Sequence, residues 1–208
     1  MPSRKYLYLD YAAATPVAPP VLRTMQPYWR ENFANPSSLH SAGREAKRIL
    51  EQCRKSCALL LNCLPDEIIF TSGGTESINL ALKGYVASRK RSQHIISTVV
   101  EHAATLETLH HLKKKGHRVT LIPCDHAGMI DPDEVVATIR TETTLVSIIL
   151  AQNEIGTIEP VAEIGKRLTN VNRERAKKNL PAVIFHTDAC QAPAWMDVNM
   201  EKLHVDML

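Results

Sequence analysis

The sequence has few features of a secreted, membrane-bound or nucleic-acid-binding protein. No apolar run approaches the length of a membrane-spanning helix, and the opening MPSRKYLYLDY has positive charges without the apolar stretch of a signal peptide. The 25 basic residues nearly balance the 22 acidic ones, which gives a formal charge of +3 and does not favour nucleic-acid binding. We therefore expect a cytoplasmic protein that binds neither membrane nor nucleic acid.

The chain also lacks paired cysteines. Its five cysteines are an odd number, with no CxxC pair and no Cys/His spacing typical of zinc. This pattern predicts a reducing compartment and no metal site.

The pattern that is present is an alternation of short apolar runs with helical segments, which is typical of βαβ units around a parallel sheet. With 208 residues and 44% hydrophobic composition, the chain is long enough for one sizeable core. We predict an α/β fold with a mostly parallel sheet flanked by helices. The predicted strands are 67–72, 94–100, 118–124, 144–151 and 182–188, and the predicted helices lie at about 40–62, 75–90, 103–115, 132–140 and 160–179.

The two ends of the chain differ from this pattern. Four prolines and a small-residue turn in LDYAAATPVAPPVLRTMQPYW predict an N-terminal arm at 1–20, followed by a domain at 21–208. The last residues, LHVDML, begin a strand-like pattern with no element after it. We expect the domain to be incomplete and the sequence to be the front part of a longer protein.

A glycine turn, FTSGGTES, joins the predicted strand at 67–72 to the following helix. It is neither a P-loop, since GxxxxGK[ST] is absent, nor the GxGxxG of a dinucleotide fold. Glycine N–H groups at a helix N-terminus favour an anion, and the hydroxyls of Ser72 and Thr75 can add hydrogen bonds. The turn predicts a phosphate cradle, although a tight turn that simply needs glycine gives the same pattern.

Polar residues follow three other predicted strands, at the sheet edge where ligands of open parallel sheets bind. A lone His102 or Asn153 would more often be an ordinary loop residue, but the carboxylate of Asp188 follows an apolar strand and needs a partner. Together they suit a flat, phosphorylated cofactor with a protonatable ring nitrogen. The residues are Glu101-His102, Gln152-Asn153-Glu154, and Asp188 with Gln191.

Six segments, in order, resemble the motifs of cysteine desulfurases and selenocysteine lyases. These enzymes belong to the class V group of the fold-type I pyridoxal-phosphate enzymes, and the resemblance runs from about residue 6 to the last residue. It implies pyridoxal 5'-phosphate as cofactor. The segments are LDYAAATP, NPSSLHSAGR, IIFTSGGTES, VEHAATLET, AQNEIGTIEPV and FHTDACQA.

The resemblance implies a role for each matched residue. Gly74 and Thr75 match the family's phosphate-binding pair. His102 matches the histidine that stacks on the cofactor ring and assists proton transfer, which makes it the predicted catalytic residue.

Three further matches surround the cofactor ring. Asn153 and Gln191 match residues near its phenolic oxygen. Asp188 matches the aspartate that pairs with the pyridine nitrogen and keeps it protonated, so that the ring acts as an electron sink.

Two departures from the family pattern stand out. Cys190 replaces a residue that is more often small or hydroxylated, and we expect it to be packed. The family's cofactor-linking lysine falls about six residues after Leu208 by this match, and its sulfur-accepting cysteine and substrate-binding arginine lie later. The sequence is thus predicted to stop before the catalytic lysine and to be inactive by itself.

The resemblance predicts the N-terminal part of a homodimeric cysteine desulfurase. Such an enzyme converts L-cysteine to alanine and an enzyme persulfide, whose sulfur passes to an acceptor protein for iron–sulfur cluster assembly or thiolation. One alternative is a selenocysteine lyase acting on L-selenocysteine, since the long link in VNRERAKKNLPAVIFHTDACQA resembles that branch. Another is a non-catalytic chain that binds a partner half, or the cofactor weakly.

Overall fold

The structure, a computed structural model, describes residues 7–208 and divides into two compact units. The first contains the residues up to 59 together with 64–68, and the second contains 60–63 and 69–208. Residues 1–6 of the predicted arm lie outside the described part. The boundary between an arm at 1–20 and a domain at 21–208 stays a prediction.

The first unit is mostly helical. Helix α1 spans Pro19–Met25, with proline in its first turn where no N–H is required, and a 3₁₀ helix follows at Gln26–Trp29. Helix α2 runs over Ser41–Leu61. Few of its side chains are buried, and the two buried residues recorded in α2 are Gly43 and Ala58.

The second unit contains a four-stranded parallel sheet in the order β2-β1-β3-β4, which confirms the predicted fold class. The central strands β1 and β3 are buried at every residue, whereas β2 lies at an edge and is partly exposed. Central burial explains the near-continuous apolar runs in the sequence. The strands span His94–Thr98 (β1), Arg118–Ile122 (β2), Thr143–Ser147 (β3) and Ile184–His186 (β4).

Helices cover both faces of this sheet. Ile95 and Leu145 face the cluster formed with α3 and α4, while Ile96, Val146 and Phe185 face the cluster formed with α5, α6 and α7. Neighbouring strand residues point to opposite faces, so each strand contributes to both cores. The helices span Gly74–Ala87 (α3), Ala103–Lys114 (α4), Pro132–Ala137 (α5), Val161–Lys177 (α6) and Met200–Leu203 (α7).

The predicted strand at 67–72 is wrong. A short 3₁₀ helix occupies Pro65–Glu67, and residues 68–71 belong to none of the four strands of the described sheet. Ile69 and Phe70 are 68% and 46% exposed. An apolar sequence becomes a strand only where a neighbour completes its ladder of hydrogen bonds, and the described residues supply none here.

The outer edge of β4 is partly covered by the last residues of the chain. Met207 pairs in parallel with His186, accepting a hydrogen bond from the N–H of Thr187 and donating one to the carbonyl of Phe185. The strand-like pattern of LHVDML therefore lies where a fifth strand would add to the sheet.

Within residues 7–208, every helix is too short or too polar to cross a bilayer.

Candidate functional site

The glycine turn leads directly into α3. Gly73 is the N-cap, and no side chain caps this end of the helix, so its first N–H groups keep their capacity to bind an anion. The carboxylate of Glu76 accepts hydrogen bonds from the N–H and the hydroxyl of Ser72, both at 2.6 Å. These bonds lower the pKa of Glu76 and hold the turn. The Ser72 hydroxyl is therefore engaged by Glu76, and Thr75 beside it is exposed.

Gly74 lies against the turn that follows β4. A Cβ added to Gly74 would lie 2.6 Å from the sulfur of Cys190. This contact brings the start of α3 next to the segment that contains Asp188 and Gln191. Partial burial of the thiol, followed by the neighbouring Asp188, raises the pKa of Cys190 to about 12, which disfavours the reactive thiolate. The residue as a whole is exposed, so the expectation that it is packed is wrong, although its sulfur lies against Gly74.

Asp188 lies at the end of the β4 segment and is 6% exposed. Its Oδ1 accepts a hydrogen bond of 3.0 Å from the N–H of Cys190. Its backbone carbonyl accepts one of 2.9 Å from the N–H of Leu150. The first bond fixes the carboxylate, and the second joins this segment to the end of β3.

Asn153 follows β3 in a turn held by Gln152, whose Oε1 accepts hydrogen bonds from the N–H groups of Glu154 and Ile155. The Oδ1 of Asn153 is buried and has no hydrogen-bond partner. A buried amide without a partner is costly, so this atom is available to a bound molecule.

His102 is the N-cap of α4, and its Nδ1 accepts a hydrogen bond of 3.1 Å from the N–H of Ala104. This bond fixes the ring at the start of the helix and does not involve Nε2. The preceding Glu101 is buried, and its Oε1 accepts hydrogen bonds from the Thr98 hydroxyl and the N–H of Ile149. The His102 turn is thereby joined to the end of β3.

The predicted residues thus lie on four connected segments at one edge of the sheet. Gln191 lies in the turn after Asp188, but it is exposed, and no hydrogen bond of its side chain links it to the others in the described residues. The roles of all six residues stay predictions.

Sequence reasoning missed the part played by Glu76, although its spacing of four residues from Ser72 was visible.

Two surface cavities lie elsewhere. One of about 430 Å³ is lined by residues around Arg140 and Arg175, and the other, of about 350 Å³, by residues around Asp125 and Glu134. Neither includes any of the six predicted residues. In residues 7–208 no group of three or more His, Cys, Asp or Glu side chains is placed to hold a metal ion.

Residues 7–208 match the family model described as aminotransferase class-V. A protein named cysteine desulfurase IscS from Dictyoglomus turgidum is 43% identical over 206 residues, which are 99% of this chain and 50% of that relative. A second, from Methanosarcina thermophila, is 44% identical over 98% of this chain and 48% of its own length. The chain spans about half the length of the curated relatives it matches.

Solved structures agree with these matches. A NifS-like protein superposes with a TM-score of 0.87 at 38% identity, covering 96% of this chain and 53% of the other. The cysteine desulfurase of Thermococcus onnurineus gives a TM-score of 0.83 at 29% identity, covering 97% and 48%. A structure described as SspA in complex with cysteine gives 0.88 at 36% identity, covering 97% and 56%.

Proposed function

This chain belongs to the aminotransferase class-V family, and from that premise we propose that it is the cofactor-binding part of a pyridoxal-phosphate-dependent cysteine desulfurase. The observation that carries the proposal is that the uncapped start of α3, Asp188 and the unpartnered Asn153 oxygen lie on connected segments at one sheet edge. A phosphate, a cationic ring nitrogen and a polar ring substituent fit these three groups.

The residues present fit the cofactor. The first N–H groups of α3 would hold its phosphate, and the carboxylate of Asp188 would pair with the protonated ring nitrogen. The amide of Asn153 presents a donor or an acceptor according to its rotation, so it would satisfy the phenolic oxygen. When bound, pyridoxal phosphate supplies an electron sink for the bonds around the substrate α-carbon.

His102 is proposed to stack on the ring and to hold or move a proton at Nε2. Its Nδ1 is engaged by the N–H of Ala104, so Nδ1 acts as an acceptor and the proton of the neutral ring lies on Nε2. In this tautomer the Nε2 N–H can donate a hydrogen bond to the reacting group. To accept a proton at Nε2, the neutral ring would have to carry its proton on Nδ1 and give up the bond from Ala104.

The proposed overall reaction transfers the sulfur of L-cysteine to a cysteine thiol of the enzyme. The substrate C–S bond breaks, a new S–S bond forms the enzyme persulfide, and the substrate carbon gains a proton to give alanine. The relatives named cysteine desulfurase and the neighbour solved with cysteine favour sulfur over selenium. We further propose a homodimer in the cytoplasm, with a protein that accepts the sulfur.

The first experiment measures pyridoxal phosphate binding by equilibrium dialysis, comparing the wild-type chain with Asp188→Asn. Asparagine keeps an oxygen for the Cys190 N–H but removes the charge, so it separates the ring contact from the local fold. Loss of one partner of a buried charged hydrogen bond costs about 2 kcal/mol or more, so affinity should fall about thirtyfold. Equal affinity in the two proteins would remove Asp188 from the site.

The second experiment assays the protein expressed from its complete gene for alanine and sulfide release, with L-cysteine and L-selenocysteine as substrates and a thiol reductant present. We expect turnover of cysteine with bound pyridoxal phosphate. Failure to bind the cofactor, or to form alanine from either substrate, would contradict the proposed function.

A further inference from the structure

Glu101 is a buried carboxyl group at the meeting point of two strand ends. It is 5% exposed and directly precedes His102. Its Oε1 accepts two hydrogen bonds of 2.9 Å, from the hydroxyl of Thr98 in β1 and from the N–H of Ile149 beyond β3. One oxygen atom therefore holds the His102 turn to the segment that leads to Asn153.

The second oxygen of this group, Oε2, is buried and has no hydrogen-bond partner. Within residues 7–208 Glu101 makes no ion pair with Lys, Arg or His. The charged groups that face it are two further carboxylates, Asp188 at the end of the β4 segment and Glu159 after β3. A buried carboxylate near two others and without a cation favours the protonated form.

The direction of its titration agrees with this geometry. Burial, together with the nearby Asp188 and Glu159, raises the pKa of Glu101 to about 8, although the two hydrogen bonds to Oε1 act in the opposite direction. At neutral pH the group is uncharged in the folded chain and ionised in the unfolded chain.

We propose that Glu101 is a positioning residue of this site: an uncharged carboxylic acid that fixes the His102 turn against the end of β3 and leaves Asp188 to carry the negative charge. An ionised Glu101 would repel the Asp188 carboxylate, and this repulsion would destabilise the arrangement that is proposed to pair with the ring nitrogen. This consequence for the cofactor rests on the proposed function, whereas the protonation of Glu101 does not.

The test compares the wild-type chain with Glu101→Gln. Glutamine keeps the oxygen for the Thr98 and Ile149 bonds and stays uncharged at every pH, so it imitates the protonated acid. Because the folded pKa lies above the unfolded one, wild-type stability falls as the pH rises toward 8 and then levels off. The glutamine variant should lack this loss.

Urea unfolding between pH 6.5 and 8 provides the measurement. In this window the wild-type folding constant should fall about tenfold per pH unit relative to that of Glu101→Gln, with the slope flattening toward pH 8. His186, whose pKa is lowered to about 4 by burial, contributes equally to both proteins and therefore cancels in this comparison. Glu107→Gln, an exposed change in α4, is the control and should follow the wild type.

A second measurement addresses positioning. Glu101→Gln should bind pyridoxal phosphate within about twofold of the wild type at pH 7, whereas Glu101→Ala, which removes the shared acceptor, should bind at least tenfold more weakly or fail to fold. The proposal is overturned by parallel pH profiles for wild type and Glu101→Gln, or by a stable glutamine variant that loses cofactor affinity. A chain with the predicted pH profile but no cofactor binding would contradict the proposed function alone.

Discussion

Gly74 and Cys190 are neighbours in the structure although they lie 116 positions apart in the sequence. A Cβ at Gly74 would come within 2.6 Å of the Cys190 sulfur, so any larger residue there must displace the thiol. The glycine was predicted to allow close approach of an anion. The contact with Cys190 adds a second reason for a glycine at this position.

The pair predicts an energetic coupling. Gly74→Ala should lower the free energy of unfolding by about 1 kcal/mol more in the wild-type background than in a Cys190→Ala background. Alanine at position 190 removes the sulfur that the new Cβ would overlap. Urea denaturation of the four chains measures this difference. Gly84→Ala serves as the control, since a Cβ there meets nothing within 4 Å. Additive effects of Gly74→Ala and Cys190→Ala would mean that the two residues do not touch.

At the level of single residues the sequence located the polar groups but not their partners. His102, Asn153 and Asp188 were predicted at one edge because parallel strands end together, and the structure links their segments by hydrogen bonds. The use of the Ser72 hydroxyl by Glu76 and the burial of Glu101 depend on side-chain conformation and on contacts distant in sequence, which a pattern of residue types does not contain.

Among the elements, α6 shows how a helix is fixed by one buried cation. Arg175 is 6% exposed and donates hydrogen bonds to four backbone carbonyls, at 2.8 to 3.0 Å. Burial lowers the pKa of its guanidinium. The acceptors lie in Pro181 before β4 and in Arg140, Thr141 and Thr143 at the start of β3, so one side chain joins the helix end to two strands.

Arg175→Met should therefore destabilise the fold by about 3 kcal/mol, because it leaves several buried carbonyls without donors. Arg173→Met is the matched control: it lies on the same helix but is exposed and contacts only Asn170 among the described hydrogen bonds, so its cost should stay below about 0.5 kcal/mol. Thermal or urea unfolding of both variants measures the difference. Similar costs would show that the four bonds add nothing to stability.

Elements with a regular pattern were predicted well. All five predicted helices and four of the five strands are present, with ends shifted by a few residues. The failure at 67–72 has a different origin: pairing is a property of two segments, so an apolar run alone does not decide whether a strand forms. The role of Arg175 was missed because buried and exposed arginines look alike in a helical pattern.

The molecule as a whole contains ionisable groups that act in opposite directions on its stability. Burial lowers the pKa of His186 to about 4 and also lowers that of His94. As the pH falls below the ordinary histidine pKa, the unfolded chain therefore gains protons that the folded chain does not, and the free energy of unfolding decreases. Glu101 acts in the opposite sense, because its pKa is raised. The two effects partly cancel in the wild-type chain between pH 4.5 and 6.5.

Removing the carboxyl should make the histidine effect visible. In the Glu101→Gln background we expect the free energy of unfolding to fall by about 2 kcal/mol between pH 7 and pH 5 from His186 alone, at about 1.4 kcal/mol per pH unit below its ordinary pKa. Urea unfolding at the two pH values measures this. A flat profile would mean that His186 titrates in the folded chain as it does in the unfolded one.

The 208-residue chain is predicted to release no sulfide from cysteine, since none of its residues matches the family's cofactor-linking lysine or sulfur-accepting cysteine. Mixing it with pyridoxal phosphate, reducing with borohydride and mapping lysines by mass spectrometry should find no stoichiometric label. Labelling of one lysine together with cysteine-dependent sulfide release would contradict this prediction.

The pairing of Met207 with the outer edge of β4 has a consequence for biosynthesis. β1, β3, β4 and the segment around Met207 follow one another across the sheet in the order in which they are translated, with β2 added on the opposite side of β1. After β2, β3 returns to pair with β1, and then β4 and the segment around Met207 each pair with the strand completed just before them. The sheet can therefore grow away from β2 during translation, and its edge opposite β2 is the one that the next strand of nascent chain is about to cover.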